Sequence, residues 1–145
     1  MHDAQRVASE ARAAFNAHDE PRIRESYAED VVFEAPGEVH LEGRDAAVEY
    51  AMSWLRAFPD GRITVNNEVV AGDWVVQEFT FSGTHDDTLV GAEGEIPATH
   101  RRLSGRGVEV IQVRDGKVVA DRLYFDQVQV LTQLGLMPEP AQATA

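Results

Sequence analysis

Glu109 stands in the run Val108-Glu109-Val110-Ile111-Gln112-Val113, a lone carboxylate in an apolar strand. By strand alternation it shares a face with Ile111 and Val113, where an ionised carboxylate is costly to bury. A dry pocket on that face would raise its pKa and make it a general acid or base near neutral pH. The opposite phase turns Val108 and Val110 inward and leaves Glu109 in water, since a one-residue slip exchanges the two faces. Glu78, in Trp74-Val75-Val76-Gln77-Glu78-Phe79-Thr80-Phe81, poses the same question. If Trp74 and Val76 point inward, Glu78 joins them and pairs with Glu109 across the sheet, and two such carboxylates push their pKa values apart. If Val75, Phe79 and Phe81 fill the core, Glu78 is outside. His85 follows Gly83-Thr84 where a long loop opens, and His100 ends that loop. Histidines closing over a pocket mouth act as general bases or orient a substrate; the alternative is two exposed loop residues. The expected catalytic set is Glu109 helped by His85 or Glu78, with Trp54, Trp74, Tyr50 and His100 as substrate-contacting groups.

The elements that must position these residues are legible in the pattern. Val7, Ala8, Ala11, Ala14 and Phe15 form one apolar face of a helix over residues 4–17. Asp19, with Glu20-Pro21 after it, caps a second short helix whose buried face is Ile23 and Tyr27. Val31 to Glu34 is a short strand stopped by Pro36-Gly37. Residues 44–58 form a third helix with a Val48, Ala51, Leu55 and Phe58 stripe, and Trp54 lies beside that stripe. Residues 62–70 and 74–82 are strands around Ala71-Gly72-Asp73. Residues 83–103 read as a long irregular loop, often a functional feature. The two closing strands run from Val108 to Phe125 around Arg114-Asp115-Gly116, where Gly116 suits the left-handed position of a hairpin loop. Asp126 and Gln129 have capping-box spacing, which favours a structural N-cap over a catalytic aspartate. Val128, Leu131 and Leu134 follow at helical intervals, Gly135 stops the helix and Pro138 bars its continuation. Residues 139–145 read as a flexible tail. The class is α+β: one domain over 1–138, with a curved antiparallel sheet wrapped around three N-terminal helices and a short C-terminal helix.

Composition narrows the partners. The net charge of −12 disfavours nucleic acid and anionic membrane surfaces. The absence of cysteine removes thiolate chemistry and disulfides and fits a reducing cytoplasm. No leader pattern and no long apolar span is visible. His85 and His100 lack metal-ligand spacing and a third ligand, and no phosphate-binding glycine pattern occurs, so neither metal nor cofactor is expected.

The sequence resembles SnoaL-like members of the nuclear transport factor 2-like superfamily, which are cone-shaped α+β barrels. The resemblance is carried by Phe15-Asn16-Ala17-His18-Asp19, Tyr27-Ala28-Glu29-Asp30-Val31-Val32-Phe33, Gly83-Thr84-His85, Asp115-Gly116-Lys117-Val118, Tyr124-Phe125-Asp126 and Gln133-Leu134-Gly135-Leu136. It implies a conical pocket and a homodimer formed through the outer faces of the last two strands. It also implies a choice among ester cyclase, isomerase, dehydratase, epoxide hydrolase and non-catalytic binder, which fold alone does not decide. By the resemblance, Glu109 takes the place of the acid/base histidine of the cyclases and of the oxyanion-hole aspartate of the isomerases. The cyclase aspartate falls on Leu123, which would then line the substrate. The isomerase tyrosine and base fall near Ala11 and Ala35. The expected activity is cofactor-free acid/base chemistry on an apolar, carbonyl-bearing polyketide- or steroid-like molecule, with a non-catalytic apolar-ligand binder as the alternative.

Overall fold

The computed structural model describes residues 3–91 and 94–138. In chain order its elements are α1 (Asp3–Asn16), α2 (Glu20–Ser26), β1 (Tyr27–Ala35), β2 (Val39–Glu42), α3 (Arg44–Ala57), β3 (Arg62–Ala71), β4 (Trp74–Thr84), β5 (Leu89–Gly91), β6 (Gly94–Ile96), β7 (Arg102–Arg114), β8 (Lys117–Phe125) and α4 (Gln127–Gln133). The expected tail, 139–145, lies outside the described residues.

The main sheet has six strands in the order β2-β1-β8-β7-β4-β3. β3, β4, β7 and β8 form the expected antiparallel meander. β1 is different: it pairs with β8 in parallel, Phe33 opposite Asp121 and Glu34 opposite Arg122. The sheet is therefore mixed, because the chain leaves β1, builds α3 and the meander, and returns beside it. Helix α1 packs against β3, β4, β7 and β8, so the sheet wraps around it. The result is the α+β cone.

Local chemistry explains the boundaries. Asp19 caps α2, its carboxylate accepting from the Arg22 N–H at 3.2 Å. Asn16, just before it, fastens α1 to the sheet: its amide donates to the Ile63 carbonyl at 2.9 Å and accepts from the Ile63 N–H at 2.8 Å. His18 reaches the Gly61 carbonyl at 2.9 Å. The Phe15–Asp19 segment thus acts as a rivet between the first helices and the start of β3. Asp126 caps α4 by accepting from the Gln129 N–H at 3.1 Å. Gly135 takes φ +78°, a left-handed helix stop. Gly107 is required by close approach, since a Cβ there would lie 2.6 Å from the Phe79 ring and 2.7 Å from the Tyr124 carbonyl.

Three expectations are corrected. Tyr27 opens β1 rather than closing α2, so its side chain enters the core from the sheet. The 83–103 segment holds the β5/β6 hairpin, and β7 begins at Arg102. In α4, Val130 and Leu134 are buried whereas Val128 is exposed. Val130 and the C-cap residue Leu134 form the buried i, i+4 pair, and Gln133 adds two hydrogen bonds to the Ser104 backbone of β7.

Candidate active site

The concave face of the sheet and the helices enclose a cavity of about 130 Å³. Its apolar lining comes from Ala8, Ala11 and Phe15 of α1, Tyr50 and Trp54 of α3, and Ile63, Phe81, Ile111, Leu123 and Phe125 of the sheet. Asp126, Gln129 and Val130 of the α4 region also line it. Helical spacing explains the α1 contribution: positions 8, 11 and 15 lie on one face. The Trp54 indole is wedged edge-on against Phe81 (5.7 Å) and Phe125 (5.6 Å) and stacked on Phe58 (5.7 Å). These contacts fix an aromatic wall.

Three polar side chains come together on the inward face of the sheet. In β7 the odd-numbered residues point inward, so Glu109 shares the cavity with Ile111. Glu109 is paired with Leu123 of β8, and Ile111 with Asp121. Glu109 and Asp121 are therefore diagonal neighbours on one face, within reach of each other. Tyr27, from β1 on the far side of β8, donates its phenolic O–H to Asp121 Oδ2 at 3.1 Å. Asp121 is 3% exposed, and its Oδ1 has no hydrogen-bond partner among the described residues.

The electrostatics follow from this burial. Loss of hydration pushes the Asp121 carboxyl well above the usual range, and the Glu109 charge pushes it further, with the Tyr27 hydrogen bond working the other way. Burial also raises Glu109, and its interaction with Asp121 partly offsets that. Two carboxyls in one dry site cannot both ionise cheaply, so the pair retains a proton between them at a pH where ordinary carboxylates have lost theirs. Burial, then the charges of Asp121 and Glu109, raise Tyr27 well above the normal phenol value. Burial pushes Tyr50 up to about 12. Both phenols therefore stay protonated donors. Among the described residues, no group of three or more His, Asp or Glu is arranged to hold a metal ion.

Of the residues singled out from sequence, Glu109, Leu123, Tyr50 and Trp54 line this cavity. The others do not. Glu78 is exposed and accepts from the Asn67 amide at 2.8 Å, because β4 takes the phase that turns Val75, Gln77 and Phe79 inward. Trp74 belongs to the other face and lies under the Arg122 guanidinium, 5.4 Å from its ring centroid. His85 is buried at 0% exposure, but in core rather than cavity: its ring stacks on Phe58 at 5.4 Å. Its Nδ1 accepts from the Thr99 N–H at 3.2 Å, which ties β4 to the segment entering β7. His100 is exposed beside Asp86, with 3.1 Å between Nδ1 and the carboxylate. Leaving the core phase of one strand and the packing of one loop to be fixed by tertiary contacts is what misplaces them.

Sequence reasoning missed Asp121, Gln77 and Tyr27. A signal for Asp121 was present. The expected aspartate position fell on Leu123, and a shift of two residues keeps the same strand face, so the nearest carboxylate in phase is Asp121.

The comparisons with known proteins agree with this architecture. The model of the SnoaL-like polyketide cyclase family matches residues 5–134. The nogalonic acid methyl ester cyclase of Streptomyces nogalater is 29% identical over 125 residues, 85% of this chain and 90% of that one. The aklanonic acid methyl ester cyclase DnrD of Streptomyces peucetius is 38% identical over 64 residues, 44% of this chain but only 41% of the relative's length. Among solved structures, IdmH from Streptomyces antibioticus superposes with a TM-score of 0.76 at 30% identity, covering 92% of this chain and 99% of that one. A SnoaL-like protein from Jannaschia sp. CCS1 gives a TM-score of 0.82 at 21% identity over 94% of each chain, a likeness of fold alone. With a largely apolar cone, a carboxyl pair inside it and a family match spanning nearly its whole length, this chain belongs to the SnoaL-like polyketide cyclase family.

Proposed function

We propose that the protein is a cofactor-free cyclase acting on an aromatic polyketide ester, with Glu109 and Asp121 as its acid/base pair. The observation that carries this reading is the pair itself: two neighbouring carboxyls, Asp121 buried and Glu109 partly so, both shifted upward, on the wall of a predominantly apolar cavity. In the proposed step, the ionised member of the pair takes a proton from the carbon next to a substrate carbonyl. The resulting enolate carbon attacks a second carbonyl of the same molecule and forms a C–C bond. The protonated member delivers its proton to the oxygen that becomes the hydroxyl. One proton leaves carbon and one arrives on oxygen, so the reaction is an isomerisation and needs no external oxidant or reductant. Tyr27 holds Asp121 in place through its phenolic hydrogen bond. The aromatic wall at Trp54, Phe81 and Phe125 excludes water and stacks a planar ring system. The activities named for the two related ester cyclases supply the substrate class.

The test is incubation with nogalonic acid methyl ester, following ring closure by mass-neutral chromatographic shift. Conversion that is abolished in Asp121→Asn supports the reading. Conversion undiminished in both Asp121→Asn and Glu109→Gln overturns the assignment of the pair. No conversion, with the ester bound and recovered unchanged, favours a non-catalytic binder.

We also propose that the protein works as a homodimer in a reducing cytoplasm. The outward face of β4, β7 and β8 carries Trp74, Val76, Val108, Val110 and Tyr124, and Tyr124 is 55% exposed. A second copy of the same face would cover it. Light scattering should give twice the chain mass, and Val110→Glu should halve it; a wild-type monomer at micromolar concentration rejects the dimer.

A further inference from the structure

We infer that Gln77 is a specificity-determining residue whose side-chain carbonyl accepts a hydrogen bond from a substrate hydroxyl, with Glu68 holding the amide in that orientation. The inference deepens the cyclase reading above by naming a required feature of the substrate.

Gln77 is only 3% exposed, faces the cavity and sits directly opposite Glu109 in the β4/β7 register. Its Nε2 donates to Glu68 Oε2 at 2.8 Å. A carboxylate only accepts, so the amide must turn its NH₂ toward Glu68. The carbonyl oxygen is then the group left to accept, and it makes no hydrogen bond among the described residues.

Glu68 reaches this position through a β-bulge. The β3/β4 register passes from Val65 opposite Phe79 to Asn67 opposite Glu78, so Asn66 is the extra residue. Without it, strand alternation would put Asn67 inside and Glu68 outside. The inserted residue turns Glu68 inward against Gln77. Its other oxygen accepts from Gln5 Nε2 of α1 at 3.0 Å, and the Arg12 guanidinium stands 4.0 Å away. The carboxylate is held from two elements, and the amide it clamps cannot flip without losing that bond. Tying α1 to the sheet would not by itself require an amide on the cavity wall beside the carboxyl pair. A ligand presenting a hydroxyl there satisfies the Gln77 carbonyl; one presenting a methyl group leaves it buried and unpaired, which a binding site discriminates strongly against.

The experiment compares 2-hydroxyanthraquinone with 2-methylanthraquinone, a pair matched in size. Binding is read from quenching of Trp54 fluorescence in a Trp74→Phe background. The protein should bind the hydroxy compound about tenfold more tightly, the effect of one neutral hydrogen bond in a closed site. Gln77→Met should abolish that preference by weakening the hydroxy compound alone. Glu68→Gln, which frees the amide to rotate, should lower the preference without removing it, and it serves as the readout if Gln77→Met does not fold. No preference in the parent protein, or a full preference retained in Gln77→Met, overturns the inference. A Gln77-dependent preference without ester turnover keeps this inference and sinks the cyclase reading; turnover without the preference does the reverse.

Discussion

Asp121 and His85 are both ionisable, both almost wholly buried, and each leaves one polar atom without a partner among the described residues, yet they serve opposite ends. Asp121 opens onto a cavity, beside a second carboxyl and under a phenol. His85 faces the Phe58 ring and the Thr99 backbone and is not among the residues that line the cavity. Burial shifts both groups toward their neutral forms: the carboxyl upward, the imidazole downward. A shifted pKa therefore does not mark a catalytic group. Room for a ligand beside it does.

The contrast breaks most sharply at the carboxyl wall. Asp121→Asn keeps an acceptor for Tyr27 but cannot exchange the proton, so turnover of a polyketide ester should fall roughly a hundred- to ten-thousand-fold. The same variant should be more heat-stable than the parent at pH 8. The folded-state pKa of Asp121 lies above its unfolded value, so the folded state favours the protonated carboxyl. That advantage is complete below the unfolded value of about 3.9 and is lost as pH rises through the folded one. The difference in Tm between Asn and Asp should accordingly shrink toward pH 4; a gap that widens there would mean the carboxyl is stabilising when charged.

Tyr27→Phe is the next in size. It removes one hydrogen bond of about 1 kcal/mol from Asp121 and, with it, a group that favours the ionised carboxyl. Turnover should drop about fivefold, and the acidic limb of the kcat/KM profile should move to higher pH. A profile that stays put would show that Tyr27 does not act through Asp121.

His85→Gln sharpens the comparison from the other side. Turnover should stay within about twofold of the parent, because the side chain does not touch the cavity. Stability should change its pH dependence instead. The folded-state pKa of His85 is depressed, so its contribution is present above the unfolded value of about 6.5 and is lost as pH falls through the folded one. Thermal melts of the parent should decline over that interval more steeply than those of His85→Gln. The smallest effect is expected of Glu78→Gln. Its carboxylate is exposed and, among the described residues, held only by Asn67, so stability and turnover should both be nearly unchanged, within about 0.5 kcal/mol.

Much of this was legible in the residues. The Asp19 and Asp126 caps, the Gly135 stop, the Gly116 turn and the α3 stripe are local, and each is specified within a few positions of the chain. The inward phase of β7 was open from sequence, because Val108-Glu109-Val110-Ile111 is apolar on both faces: one covers the cavity and the other is the outer face of the sheet. The same ambiguity misplaced Glu78 and Trp74 and left Gln77, which follows the phase of Val75 and Phe79, without a role.

The chain by itself determined its helices and most of its long strands, their caps and turns, the single carboxylate in an apolar strand and the α+β class, because these depend on short-range periodicity and local hydrogen bonding; it did not reveal the short strands β2, β5 and β6. Tertiary structure decided the rest. Only the parallel return of β8 beside β1 brings Tyr27 to Asp121, 94 residues away. Only the register of β7 on β8 sets Asp121 diagonal to Glu109, and only the bulge in β3 turns Glu68 onto Gln77. Those contacts join residues far apart in sequence, and their energies depend on which strand neighbours which, a quantity that no local window contains.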